Sequence, residues 1–151
     1  MARTITLAAL LAGLAAAGQA HAVLAPAAPL PPQADRAEAR AIFKEMVETD
    51  TTHRNGSTSL AQAIRARLLA AGFAPQDLTL VAPPEAPASG SLVVRYHGKG
   101  KLRSILFMGH LDVVEARPED WSVAPFKLTE KDGFFYGRGT IDMKDGDAAL
   151  T

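Results

Sequence analysis

A continuously apolar run, Ile-Leu-Phe-Met at residues 105–108, constrains the fold most, because it leaves no polar face for solvent. Such a run is typical of an interior β-strand that is covered on both faces, as in the sheets of α/β proteins. His110 and Asp112 follow two residues apart, so on extended backbone their side chains point the same way. Ligands of open α/β sheets gather at the carboxyl ends of strands, where we expect both residues to share one site.

The segments around this run predict a mixed α/β chain. Asp35 is a suitable N-cap for a helix that reaches about Glu48 and carries one apolar face. A second helix is predicted over residues 59–71, with Gly72 as its C′ residue. Residues 98–101 are expected to join two strands as a hairpin. Strands are predicted at residues 78–81, 92–96 and 104–108, another hairpin at residues 126–136, and a last helix from Met143.

The first residues have the pattern of an export signal. Arg3 precedes an apolar run at residues 5–17, and Ala-His-Ala at residues 20–22 fits a small-x-small cleavage site. The run is shorter than the ~20 residues of a membrane-spanning helix. We expect a signal peptide (1–22), a Pro/Ala-rich spacer (23–34) and a domain (35–151). The protein would be exported, periplasmic or secreted, with no membrane association after signal cleavage.

The charge balance and the cysteine content argue against several classes of binding partner and catalytic site. The 16 basic and 16 acidic residues balance, which gives no electrostatic case for binding nucleic acid or an anionic membrane. The chain has four histidines and no cysteine, which excludes a disulfide framework, a thiolate metal site and a cysteine nucleophile. Any metal ion would therefore be held by nitrogen and oxygen ligands. The G-x-S-x-G motif of serine α/β hydrolases is also absent.

His110, Asp112 and Asp142 are the candidate metal-site residues. A neutral imidazole suits zinc, and a neighbouring carboxylate can orient the ring. Asp142 follows Gly-Arg-Gly at residues 137–139, and a carboxylate there can bridge two metal ions that share a water. Each residue also has a plain alternative. His110 can cap a strand beside a solvated Asp112, and Asp142 can serve as the N-cap of the last helix.

Three stretches, in this order and spacing, resemble the signature of a known family. They are Gly-His-Leu-Asp-Val-Val at residues 109–114, Trp121 with Pro-Phe at residues 125–126, and Tyr-Gly-Arg-Gly-Thr-Ile-Asp-Met-Lys at residues 136–144. The family is that of the dinuclear zinc exopeptidases and amidohydrolases, with aminoacylase, glutamate carboxypeptidase, carnosinase and succinyl-diaminopimelate desuccinylase. The resemblance covers residues 35–151 and implies an α/β fold, the N-terminal part of a three-layer αβα zinc-peptidase catalytic domain.

The resemblance also implies roles for the candidate residues. His110 and Asp142 would be metal ligands, with Asp142 bridging two Zn²⁺ ions and preceding a cis peptide bond. Asp112 would be the catalytic residue that orients His110. The implied reaction is hydrolysis of an amide bond in a peptide or an N-acyl amino acid. The family's dimerisation domain allows a homodimer for the full-length protein.

The same resemblance predicts that the chain is an incomplete enzyme. The family's Glu-Glu pair is absent from these 151 residues, so we expect a truncated domain that binds zinc weakly, hydrolyses nothing alone and is poorly soluble. The alternative is a non-catalytic exported domain that retains remnants of the motifs. Other residues are expected to be structural: Trp121 and Phe126 in packing, Arg138 in an ion pair, Asp145 and Asp147 as helix-start charges, and His53 and His97 at the surface.

Overall fold

Helices and two small hairpins make up the described part of the chain. A computed structural model describes residues 28–151, so the predicted signal peptide (1–22) lies outside the described residues. The helices are α1 (Gln33–Glu48), α2 (Thr58–Ala70) and α3 (Lys144–Leu150). The antiparallel pairs are β1 (Leu78–Val81) with β2 (Ser91–Val94), and β3 (Thr129–Lys131) with β4 (Phe134–Tyr136). This mixture of helix and strand confirms the predicted α/β class.

The core lies between α1, α2 and β1, with α3 packed against α1. The predicted apolar face of α1 is buried, and α2 buries a matching stripe at helical spacing. Leu78 of β1 and Ala148 of α3 complete this cluster. The buried helix residues are Ile42, Phe43, Met46 and Val47 of α1, and Leu60, Ala61, Ile64 and Leu68 of α2.

Asp35 does not cap α1, so that prediction is wrong. The helix begins two residues earlier, at Gln33, behind Pro32, and no side chain caps it. Proline is suited to this place because its fixed φ matches the start of a helix and it has no N–H to leave unpaired. Asp35 instead lies in the first turn, where a negative charge meets the positive end of the helix dipole.

Glycines form the two turns that the sequence predicts most sharply. Gly72 has φ +94° and follows α2 as its C′ residue. The Gly72 N–H donates to the Leu69 carbonyl at 3.1 Å and the Phe73 N–H to the Leu68 carbonyl at 3.0 Å, which is a Schellman motif. Asp132 (φ 54°) and Gly133 (φ 80°) form the two-residue turn between β3 and β4. Both predictions are confirmed.

The predicted interior strand at residues 104–108 does not form. This segment pairs with no strand among residues 28–151, and the hairpin expected through residues 98–101 is absent there as well. Ile105, Leu106, Phe107 and Met108 are 67–79% exposed. A strand needs a partner for its backbone N–H and C=O groups and cover for its side chains, and the described chain supplies neither. Within residues 28–151, no helix combines the length and apolar character of a membrane span.

Candidate metal centre

His110 and Asp112 lie in a segment without regular secondary structure that is tied to the loop after α1. The Thr51 hydroxyl donates to the Leu111 carbonyl at 2.6 Å, and the Val113 N–H donates to the Thr51 carbonyl at 3.2 Å. Thr51 and Val113 are both buried. The backbone that follows His110 is therefore anchored at Leu111 and Val113, whereas the apolar run that precedes His110 is not anchored in this way.

Asp142 lies in the turn that leads into α3. Gly139 in this turn has φ +82°, and a Cβ built there would lie 2.7 Å from Val113 Cγ1 and 3.2 Å from Lys144 Cδ. Only glycine fits both that conformation and that space. The turn therefore packs directly on the segment that carries Asp112. The Asp142–Met143 peptide bond is cis, as the resemblance implies.

These two segments bring the three predicted residues together. His110 Nε2 lies 2.9 Å from Asp142 Oδ1. His110 Nδ1 lies 3.0 Å from the Asp112 backbone carbonyl and 3.5 Å from Asp112 Oδ1. The main-chain oxygen of Asp112 is therefore the nearer partner of the ring, where the sequence had suggested the carboxylate. The Asp142 carboxylate, followed by this carbonyl, raises the pKa of His110 above its ordinary value of 6.5.

The hydrogen bonds of the ring define which nitrogen can bind a metal. The Asp112 carbonyl can only accept, so in neutral His110 the proton belongs on Nδ1. The lone pair then lies on Nε2, which faces Asp142. Carbonyl or carboxylate support on the far nitrogen is the usual partner arrangement of a metal-binding histidine.

The donor set fits zinc in kind but not in number. An imidazole nitrogen and a carboxylate oxygen are both zinc donors, and their 2.9 Å separation directs them to one point. Zinc in catalytic sites takes about three protein ligands. Among the described residues, no three His, Cys, Asp or Glu side chains form a group that could hold a metal ion. His110 and Asp142 are thus two candidate donors, fewer than such a site requires, and their side chains are 47% and 82% exposed.

A cavity of about 360 Å³ opens beside His110 and Asp142. Arg138 stacks on Trp121 in its wall, with the guanidinium carbon 4.9 Å from the ring centroid. The guanidinium also donates to the Glu115 carbonyl at 3.4 Å. Arg138 therefore makes a cation–π contact, and no ion pair of this residue is found within residues 28–151, contrary to the prediction. Trp121 is half-buried, as expected of a packing residue.

Two charged residues of α3 are buried, which the sequence analysis missed. Asp147 is a charge in the first turn of α3, as predicted, but it is only 6% exposed, and burial raises its pKa. Its Oδ1 lies 2.0 Å from where a Cβ on Gly109 would stand, so Asp147 packs against the residue that precedes His110. Lys144 is wholly buried. The signal was helical spacing: positions 144, 147 and 148 share the face of α3 that meets the core.

The other two histidines among residues 28–151 lie elsewhere, as predicted. His53 is exposed in the loop after α1. His97 is 68% exposed, and its Nε2 lies 2.9 Å from Asp77 Oδ1. Neither residue lines the cavity beside His110.

The chain is similar to known proteins in this region. The family described as "Peptidase family M20/M25/M40" matches residues 106–151. The chain is 53% identical over 61 residues to a succinyl-diaminopimelate desuccinylase of Ruegeria pomeroyi, covering 40% of this chain and 16% of that protein. It is 60% identical over 43 residues to a probable succinyl-diaminopimelate desuccinylase of Staphylococcus aureus, covering 28% of this chain and 11% of that protein.

The matched region contains all three predicted site residues, His110, Asp112 and Asp142. The chain spans about a sixth of the length of the first of these relatives. Residues 106–151 are therefore similar to the proteins of peptidase family M20/M25/M40.

Proposed function

We propose that this chain carries the first part of the metal centre of a zinc-dependent hydrolase that cleaves an amide bond in a peptide or an N-acyl amino acid. The observation that carries the proposal is the 2.9 Å approach of His110 Nε2 to Asp142 Oδ1. This approach joins residues from two segments that are 32 positions apart in the sequence. The names of the similar desuccinylases favour an N-acyl, and specifically an N-succinyl, amino acid as the first substrate to test.

The residues of this chain would have separate tasks. The Asp112 carbonyl holds the His110 proton on Nδ1 and so directs the Nε2 lone pair towards Asp142. The Asp112 carboxylate, 3.5 Å from Nδ1, adds negative charge beside the ring. Asp142 offers its carboxylate from the opposite side. Zinc, when bound, lowers the pKa of water and polarises a carbonyl group. Trp121 and Arg138 form a wall of the adjacent cavity, where a substrate would lie.

We propose that residues 1–151 alone bind zinc weakly and do not complete the reaction. Two protein ligands, His110 and Asp142, fall short of the about three that a catalytic zinc site uses. Two Zn²⁺ ions would be expected in the complete enzyme. From the first 22 residues, we also propose export to the periplasm or the exterior. A homodimer of the full-length protein is a further expectation from the resemblance.

The test is substitution in the complete protein that carries this chain. His110→Ala and Asp142→Ala should each lower hydrolysis of an N-succinyl amino acid at least 100-fold and reduce the bound zinc, because each removes a ligand. The matched controls are His53→Ala and Asp145→Ala, which alter exposed residues of the same types. Wild-type turnover with full zinc content in either site variant would rule out the assignment. A complete protein without hydrolytic activity would favour the non-catalytic alternative.

A further inference from the structure

Lys144 occupies an unusual position for a lysine. Its side chain is wholly buried, whereas lysine is among the residues least often found inside proteins. The Nζ donates to the Met46 carbonyl at 2.7 Å and to the Thr49 carbonyl at 3.0 Å. Burying an ammonium group is costly unless it is hydrogen-bonded. These two bonds therefore account for how the fold accepts Lys144.

The acceptors of Lys144 belong to the end of α1. The last four carbonyls of a helix have no partner within the helix, and they carry the negative end of its dipole. Met46 is one of these residues, and the Lys144 ammonium meets its carbonyl. The Lys144 N–H also donates to the Gly139 carbonyl at 3.0 Å, which closes the turn that carries Asp142. Lys144 thus fastens this turn to the end of α1.

The same end of α1 fastens the segment that carries His110. We call residues 49–52, which follow α1, the junction segment. The junction segment binds Lys144 through the Thr49 carbonyl. It binds the His110 segment through Thr51, whose hydroxyl donates to the Leu111 carbonyl and whose carbonyl accepts the Val113 N–H. One short stretch of backbone is therefore in contact with both halves of the candidate metal centre.

We propose that Lys144 is a positioning residue for the metal centre: it holds the Asp142 turn on the junction segment, so that Asp142 faces His110. This inference rests on the proposed metal site, and Lys144 itself would not touch the metal. A lysine with only a packing role would support the fold without affecting the alignment of the two ligands.

The experiment is a Zn²⁺ titration of the full 151-residue chain, followed by the ¹⁵N NMR signals of the His110 ring. Lys144→Met removes the ammonium and keeps most of the apolar stem. It should weaken Zn²⁺ binding about 10-fold, the lower end of the range for direct partners of a metal ligand, because Lys144 acts on Asp142 only through the turn. Lys101→Met, at an exposed lysine, is the matched control and should leave the affinity unchanged. Lys144→Met with wild-type affinity would overturn the inference.

A second background separates positioning from general stability. If Lys144 acts through Asp142, Lys144→Met should cause no further loss of affinity in a chain that already carries Asp142→Asn. An equal fold-loss in both backgrounds would show a merely structural role. Should Lys144→Met not fold, Thr51→Val tests the other arm of the junction segment. It should weaken Zn²⁺ binding in the wild-type chain, and unchanged affinity would count against the inference. A wild-type chain whose His110 signals do not respond to Zn²⁺ would instead contradict the proposed zinc binding of residues 1–151.

Discussion

The helical core and the apolar run at residues 105–108 contain similar side chains, but those of the core are buried and those of the run are exposed. Leu60 in α2 is 0% exposed, whereas Leu106 in the run is 79% exposed. Leu60 lies on a helix whose apolar stripe meets α1 and the first hairpin. Leu106 lies on backbone that pairs with no strand among residues 28–151. Burial in this molecule therefore depends on the cover available to a side chain and not on its own hydrophobicity.

The largest expected effect tests this comparison with one substitution at two places. Leu60→Ala should lower the free energy of unfolding by about 2–5 kcal/mol, because it removes buried methyl groups and leaves a cavity. Leu106→Ala should change it by less than about 0.5 kcal/mol, because the side chain is already in solvent. Urea denaturation followed by circular dichroism measures both values.

The same two variants can also contradict the conclusion that the run at residues 105–108 is exposed. If Leu106→Ala destabilises the chain as much as Leu60→Ala, the run at residues 105–108 is covered in solution, by another copy of the chain or by a rearranged segment. The dependence of the urea midpoint on protein concentration distinguishes these two cases, since only association between copies responds to concentration.

A smaller effect is expected where the two regions meet, at Thr51. Thr51→Val keeps the side-chain shape but removes the hydroxyl that donates to the Leu111 carbonyl. The expected loss of stability is about 1 kcal/mol, the usual net value of a hydrogen bond. Faster amide hydrogen exchange at Val113 should accompany it, because the Val113 N–H bonds to the Thr51 carbonyl. The control, Thr79→Val on the exposed side of β1, should cause no loss.

The features that depend on only a few neighbouring residues were predicted correctly from the sequence. The apolar face of α1, Gly72 after α2 and the Asp132-Gly133 turn follow from side-chain periodicity and backbone sterics over a few residues. The sequence analysis could place His110 and Asp142 in one site because the family resemblance links these two residues, which are 32 positions apart. Periodicity could not show that residues 104–108 lack a partner strand, since pairing depends on distant segments. The helical spacing of positions 144, 147 and 148 was a signal for the burial of Lys144 and Asp147, but a weak one on a helix of only 7 residues.

The smallest expected effect on stability depends on pH and concerns Glu48, the last residue of α1. Its carboxylate pairs with Lys44 and accepts the Leu128 N–H at 3.3 Å, and the pairing with Lys44 is the main cause that lowers its pKa below 4.5. A carboxyl group whose pKa is lower in the folded state stabilises the fold above its unfolded pKa, and this stabilisation is lost as the pH falls through the folded value.

Glu48→Gln should therefore lower the urea midpoint slightly at pH 7, and the difference from wild type should shrink as the pH falls below 4.5. Glu85→Gln, at an exposed glutamate, should leave the urea midpoint unchanged at pH 7 and at pH 3. A Glu48→Gln difference that persists undiminished at pH 3 would mean that the side chain acts through packing. The contact between Glu48 and Leu128 would then be stabilised by packing, as in the core, and not by charge.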